Sequence, residues 1–151
     1  MGRSWRETAA GPGWPSMPEC PFCDIAAGRA PAEVIHTDAD VVGFVPLEPF
    51  VPGHVLFVPR RHVADAQVAT YSEADRAASA AAYLAASSWL AQTGSVGNIL
   101  TSCGEAATQT VQHLHVHVLP RGGGDGLPAD WPWLRDGADA WRWLGRRLIG
   151  A

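Results

Sequence analysis

The run His113-Leu114-His115-Val116-His117-Val118-Leu119 alternates imidazole and apolar side chains along its length. A two-residue repeat belongs to an extended strand, where side chains two apart share a face. The pattern therefore predicts that His113, His115 and His117 project from one face of a strand, roughly 7 Å between neighbours. Leu114, Val116 and Val118 would then fill the opposite, buried face. The strand must be half-buried, with a rack of imidazoles on its polar side.

The chain has 151 residues, 47% hydrophobic and 17% charged, which is enough for one domain with a core and too apolar for wholesale disorder. A net charge of −4 argues against a large nucleic-acid footprint and leaves room for one small phosphorylated ligand. Apolar stretches are interrupted by Gly, Pro or Ser well before membrane-spanning length, and residues 1–19 lack the apolar segment of a signal peptide. Three cysteines, an odd number, fit a reducing cytoplasm better than a disulfide scaffold.

Residues 1–19, rich in Gly, Pro, Trp and Ser, read as a loose arm. A short helix is expected from Phe22 to Gly28, then strands Val34–His36 and Val41–Val45 around the turn Thr37-Asp38-Ala39-Asp40. The three prolines between Pro46 and Gly53 demand a loop. His54 to Val58 forms a strand stopped by Pro59. Ser72, Glu73 and Asp75 open the clearest helix, and Gly94 closes it. A strand over Val96–Ser102 and a turn over Cys103–Thr108 lead to the histidine strand, which ends at Pro120. Trp141, Leu144 and Leu148 mark a terminal helix over 138–149 within a tail from Gly122 to Ala151. Hairpin strands with one long helix and a shorter one define an α+β fold on an antiparallel sheet of about five strands.

Cys20-Pro21-Phe22-Cys23 is a CxxC pair without the βαβ context of a redox motif. As a zinc knuckle it needs two more ligands, and the sequence offers His36, His54, His62 and His113. Pro52-Gly53-His54 and Val58-Pro59-Arg60-Arg61-His62 put a histidine at each end of one strand. The turn Gly104-Glu105-Ala106-Ala107-Thr108-Gln109-Thr110, just before the triad, has the composition to cradle a phosphate.

Together these pieces resemble the histidine triad (HIT) superfamily of nucleotide hydrolases and transferases, over Cys20 to about Arg121. The family hallmark, His-φ-His-φ-His-φ-φ, is met in full by His113 to Leu119. Asn98-Ile99-Leu100 and Gln109-Thr110-Val111-Gln112 follow the family's approach to it. Pro52-Gly53-His54 and Pro59-Arg60-Arg61-His62 follow its preceding strand, and CPFC is similar to the opening of its zinc-containing bacterial branch. The resemblance implies a nucleophilic His115, a phosphate-bonding or leaving-group-bonding His117, a Thr110 beside that group and a supporting His54. It implies substrate contacts from Gln109, Ser102, Val111, Phe44 and Leu47, and a structural zinc held by Cys20, Cys23, His62 and His113. A homodimer built through the long helix and adjacent strand is also implied.

The chain departs from the family where nucleosides are gripped. Pro46 stands where an Asp usually holds the ribose hydroxyls, with Glu48 nearby. Ser102 and Cys103 replace a usual Asn and its neighbour, and Thr108 replaces a Gly. The chemistry-bearing imidazoles are kept while nucleoside-bearing positions change, so the expected reaction survives on a substrate other than a standard adenosine or guanosine nucleotide. Two other readings stand beside it. One is a binding protein that has lost turnover. The other is a metalloenzyme using His113, His115 and His117 as facial ligands, which leaves the cysteine pair unexplained.

Overall fold

Cys20 caps the first helix, α1 (Pro21–Ala26): its Sγ accepts the Cys23 N–H at 3.4 Å, and Pro21 sits in the first turn where no N–H is needed. This computed structural model describes residues 20–67 and 70–123. After α1 come β1 (Glu33–Thr37) and β2 (Val41–Val45), a hairpin closed by Asp38. The Asp38 carboxylate accepts the N–H groups of Asp40 at 2.8 Å and Val41 at 2.7 Å, the side-chain-to-backbone bonding that makes Asp a turn residue. Gly53, at φ 81°, turns the chain out of the proline-rich loop into β3 (Val55–Pro59), where a Cβ would also meet Pro120 at 3.2 Å.

The long helix α2 (Glu73–Thr93) starts at Ser72, whose Oγ accepts the Asp75 N–H at 3.0 Å, and stops at Gly94 in the left-handed region. No described helix is long and apolar enough to cross a membrane. Then follow β4 (Gly97–Leu100), a 3-10 turn (Glu105–Ala107) and β5 (Val116–Pro120). The five strands form one antiparallel sheet in the order β1-β2-β3-β5-β4. The α+β expectation of about five antiparallel strands, one long helix and a short one matches this architecture.

Both faces of the sheet are covered, which is why β3 is buried along its whole length. On one face Val55, Phe57, Val116 and Val118 pack against Ala82 and Ala86 of α2, two small residues one turn apart that let the helix come close. On the other face Val42, Phe44, Leu56 and Val58 pack against Ala26, with Phe22 and Ile25 of α1 at their edge. Each fully buried Phe or Leu contributes roughly 1.5–3 kcal/mol. The register sets Leu56 opposite Phe44 and His117 opposite Leu56, so His117 lies on the face that carries α1.

The histidine run is not one continuous strand. β5 begins at Val116, and only His117 of the three lies within it. The backbone before it is diverted: the His113 N–H bonds the Val111 carbonyl at 2.8 Å, and the Leu114 N–H bonds the Val63 carbonyl at 2.6 Å. Leu114 packs with Val63 in a cluster of its own, with Ala66 and with Ala78 of α2 against it. The arm over 1–19, the helix over 138–149 and the tail beyond residue 123 lie outside the described residues.

Candidate functional site

Two groups of imidazoles meet on the α1 face. The first gathers around the CxxC pair. Cys20 and Cys23 on α1, His62 after β3 and His113 before β5 bring their ligand atoms within 4.8 Å of one another. His113 Nδ1 lies 3.3 Å from Cys20 Sγ and 3.4 Å from Cys23 Sγ, and His62 Nδ1 lies 3.3 Å from Cys23 Sγ. In tetrahedral zinc coordination the sulfur–nitrogen edges measure about 3.6 Å, so the donors stand close to the spacing a zinc ion needs. The far nitrogen of His113, Nε2, donates to the Pro59 carbonyl at 2.8 Å, which leaves the lone pair on Nδ1 facing the sulfurs. The sulfurs share a proton unequally: Cys23's hydrogen bond holds the Cys20 thiol far below its ordinary range, and the same bond with burial pushes Cys23 up. These are the residues and tautomers that fit zinc. His36 and His54, equally available by sequence, are elsewhere; His36 bonds Asp38 at 3.0 Å.

Arg60 holds this cluster to the sheet. Its guanidinium donates to the Asp38 carbonyl at 2.8 Å, to Thr37 Oγ1 at 2.6 Å and to the Ala26 carbonyl at the end of α1. The signal for its role, its place one residue after β3, points nowhere without the fold.

The second group is His54, His115 and His117. The buried His115 donates Nδ1–H to the His113 carbonyl at 2.7 Å, so its Nε2 carries the lone pair. Burial is the leading cause that lowers its pKa, opposed by that carbonyl bond. Thr101 steadies the same segment by donating its hydroxyl to the His115 carbonyl at 2.8 Å. The Phe22 ring meets His115 edge-on at 5.2 Å, with Phe44 behind it at 5.4 Å.

A chain of hydrogen bonds fixes the protons on the other two rings. The Phe50 N–H donates to His54 Nδ1 at 3.1 Å, so the His54 proton resides on Nε2. That Nε2–H donates to His117 Nδ1 at 3.0 Å, and the His117 proton is thereby left on Nε2. Burial lowers the pKa of His54 to about 4, and burial, then His115 and His54, lower that of His117 to about 4. The rings of His115 and His117 are 5.0 Å apart. A neutral nucleophilic nitrogen thus stands beside a neutral N–H donor.

The loop before the triad is shaped from within. Gln109, 2% exposed, accepts the Gly104 N–H at 2.7 Å and donates to the carbonyls of Ala64 at 2.7 Å and Val111 at 3.0 Å. Its side chain is spent on loop structure, and its own N–H goes to the Gly104 carbonyl at 3.2 Å. Thr110 is exposed and Ser102 and Val111 are half-buried around this loop, while Leu47 is fully exposed. Thr108 takes φ 68°, a left-handed conformation that suits glycine far better than a β-branched residue. Phe50 and Phe22 were missed in the sequence, although each lies within four residues of a singled-out His or Cys.

Comparison with known proteins agrees with this geometry. Residues 27–124 match the HIT domain, and the chain belongs to the HIT family, in its zinc-containing bacterial branch. An uncharacterised HIT-like protein of Mycobacterium tuberculosis is 34% identical over 108 residues, covering 72% of this chain and 75% of that one. A HIT family hydrolase from Clostridium thermocellum superposes with a TM-score of 0.64 at 28% identity, over 76% of this chain and 99% of its own. A zinc-bound histidine triad family protein from Mycobacterium smegmatis does so with a TM-score of 0.60 at 31% identity, over 87% and 97%.

Proposed function

We propose that the protein is a HIT-type hydrolase or nucleotidyl/phosphoryl transferase that cleaves a phosphate-ester, phosphoramidate or phosphoanhydride bond through a covalent intermediate on His115. The single observation that carries this reading is the pairing of tautomers: His115 Nδ1–H is tethered to a carbonyl, and His117 Nε2–H is left as a donor beside it. His115 Nε2 attacks phosphorus, an N–P bond forms, and the bond to the departing group breaks with its electron pair leaving on that group. His117 Nε2–H hydrogen-bonds the departing atom. Because His117 is neutral, it stabilises developing charge as a donor, and the proton an amine finally gains comes from water. Water then attacks phosphorus, the N–P electron pair returns to His115 Nε2, and the water's proton passes to solvent. The positive charge on the intermediate's ring is met by the His113 carbonyl at Nδ1–H. Splitting one displacement into two is the gain of covalent catalysis.

Thr110 and the backbone around Val111 would hold the phosphate, with Ser102 beside them. Phe44, behind Phe22, would wall the site, and the exposed Leu47 would border it. Pro46 has no acceptor for ribose hydroxyls, so the substrate is nucleotide-like without a standard ribose grip. Cys20, Cys23, His62 and His113 would hold one zinc ion as a closed, structural cross-link that ties α1 to the end of β3 and the adjoining start of β5. Self-association would use the open edge of β4 and the exposed Tyr83 and Leu84 of α2. The thiols of Cys20, Cys23 and Cys103 are unpaired, which fits the cytoplasm.

The test is trapping. Nucleoside phosphoramidates, dinucleoside polyphosphates and nucleotide sugars are incubated with the protein, and intact mass is measured after rapid acid-free quenching. A mass-shifted His115 peptide that is missing in His115→Ala is the expected result. A panel without adduct or released monophosphate would make the protein a binder on this fold, a reading that the strained Thr108 and acceptor-free Pro46 favour. Light scattering reads the oligomer.

A further inference from the structure

Phe50 makes three contacts with the histidine pair that no other residue of its loop makes among the described residues. Its backbone N–H donates to His54 Nδ1. Its ring lies 4.9 Å from the His54 ring at 22° and 6.1 Å from the His117 ring at 7°. The two imidazoles are themselves 5.2 Å apart at 22°, side by side and joined by the 3.0 Å hydrogen bond. A benzene ring nearly parallel to both therefore roofs a flat, hydrogen-bonded plate. Yet Phe50 is 61% exposed, so the ring lies on the site with its other side toward solvent instead of filling the core. A ring left this exposed buries little area, and what sets it apart is its stacking on the two imidazoles.

We infer that Phe50 is a positioning residue that fixes, through its N–H and its ring, the proton arrangement by which His117 presents Nε2–H to the departing group. The backbone bond decides the His54 tautomer, and the tautomer passes through Nε2–H to His117. The ring keeps water from competing for the His54–His117 bond on the face it covers. Water reaching that bond would favour protonation, because the charged imidazolium gains most from solvation. Among the described residues no carboxylate acts on either ring: desolvation acts on His54, and desolvation with His115 and His54 acts on His117, both toward the neutral ring. Cover is thus what keeps the pair neutral and the donor correctly aimed.

The role toward a departing group rests on the proposed reaction; the cover over the two rings does not. The experiment therefore reads both, on the full chain with its metal, in Phe50→Ala and Phe50→Trp. Nitrogen-15 NMR of labelled histidines follows each ring through an acid titration. In the parent, His54 and His117 are expected as Nε2–H tautomers that titrate near pH 4. In Phe50→Ala at least one of them should titrate about one unit higher, a tenfold rise in proton affinity. The acid limb of kcat should move up with it while KM changes less, and Phe50→Trp should behave as the parent. If Phe50→Ala does not fold, Phe50→Leu replaces it, with a shift of the same sign. Unchanged titration in a folded Phe50→Ala or Phe50→Leu overturns the role of Phe50, as does a Phe50→Trp protein shifted as far as the alanine variant. Shifted titration in a protein that turns over nothing leaves the cover standing and removes the reaction instead.

Discussion

His113 and His115 stand two residues apart and use their ring nitrogens in opposite senses. His113 tethers Nε2 to the Pro59 carbonyl and turns Nδ1 to two sulfurs. His115 tethers Nδ1 to the His113 carbonyl and keeps the Nε2 lone pair. Neither ring chooses its role by residue type or by burial, since both are buried. The carbonyl each one meets decides which nitrogen is left to work. The candidate metal cluster and the proposed nucleophile are therefore two outcomes of one backbone path, joined at the peptide of His113.

The most severe way to break this pairing is His115→Ala. It is expected to cut kcat/KM by about 10,000-fold or more, as removal of a nucleophile does, while the protein keeps its zinc. Steady-state kinetics with metal analysis reads both. Next in size is Cys23→Ser, which should abolish zinc binding and lower stability by several kcal/mol, moving Tm by more than about 10 °C. Because the His113 carbonyl holds His115, the same variant should also lose about 10–100-fold in kcat at a temperature where it remains folded. A Cys23→Ser protein without zinc and with full kcat would separate the two regions that the geometry joins.

Acid distinguishes them further. His54 and His117 have folded pKa values of about 4, below the ordinary imidazole value of 6.5. As pH falls below about 6.5 the unfolded chain binds protons that the folded chain refuses, so this part of stability is full above 6.5 and is lost down to about 4. Thermal denaturation at a series of pH values in excess zinc should show a slope of which this pair supplies at most about 2.7 kcal/mol per pH unit in that window, two protons' worth. The lowered His115 adds in the same direction. Replacing His54 with Leu should remove about half of the pair's share of that slope.

The smallest effect concerns the loop and not the rings. Thr108→Gly relieves the left-handed backbone at φ 68° and loses some stability through the freer unfolded chain. The net gain is expected at about 1 kcal/mol, a rise of roughly 3 °C in Tm, read by calorimetry. A fall in Tm would mean that the Thr108 hydroxyl, which bonds the Ala107 carbonyl at 2.6 Å, outweighs the strain.

Local chemistry made much of the fold legible. Ser72 and Gly94 bracketed α2 because caps are local, and the prolines from Pro46 to Pro52 marked the loop for the same reason. The strand ends expected at Val58 and Ser102 moved to Pro59 and Leu100, where pairing partners stop. The uniform strand expected over His113–Leu119 failed because its first residues bond Val111 and Val63, partners that alternation cannot reveal. Four histidines were candidates to complete the CxxC site, and spacing could not choose His62 and His113 over His36 and His54. That choice is made by where β3 ends and β5 begins. The Arg60 bonds, the buried Gln109 and the stacked Phe50 were equally invisible, since each depends on contacts between residues distant in the chain or on a ring's facing.

β5 slots between β3 and β4, so the last strand of the sheet in chain order is its keystone. His54 and His117, 63 residues apart in the chain, meet only through that insertion. A polypeptide emerging from the ribosome has exposed its first hairpin and its long helix well before the two imidazoles can pair, which waits until residue 120 is free. Formation of the proposed site is thereby tied to completion of the sheet.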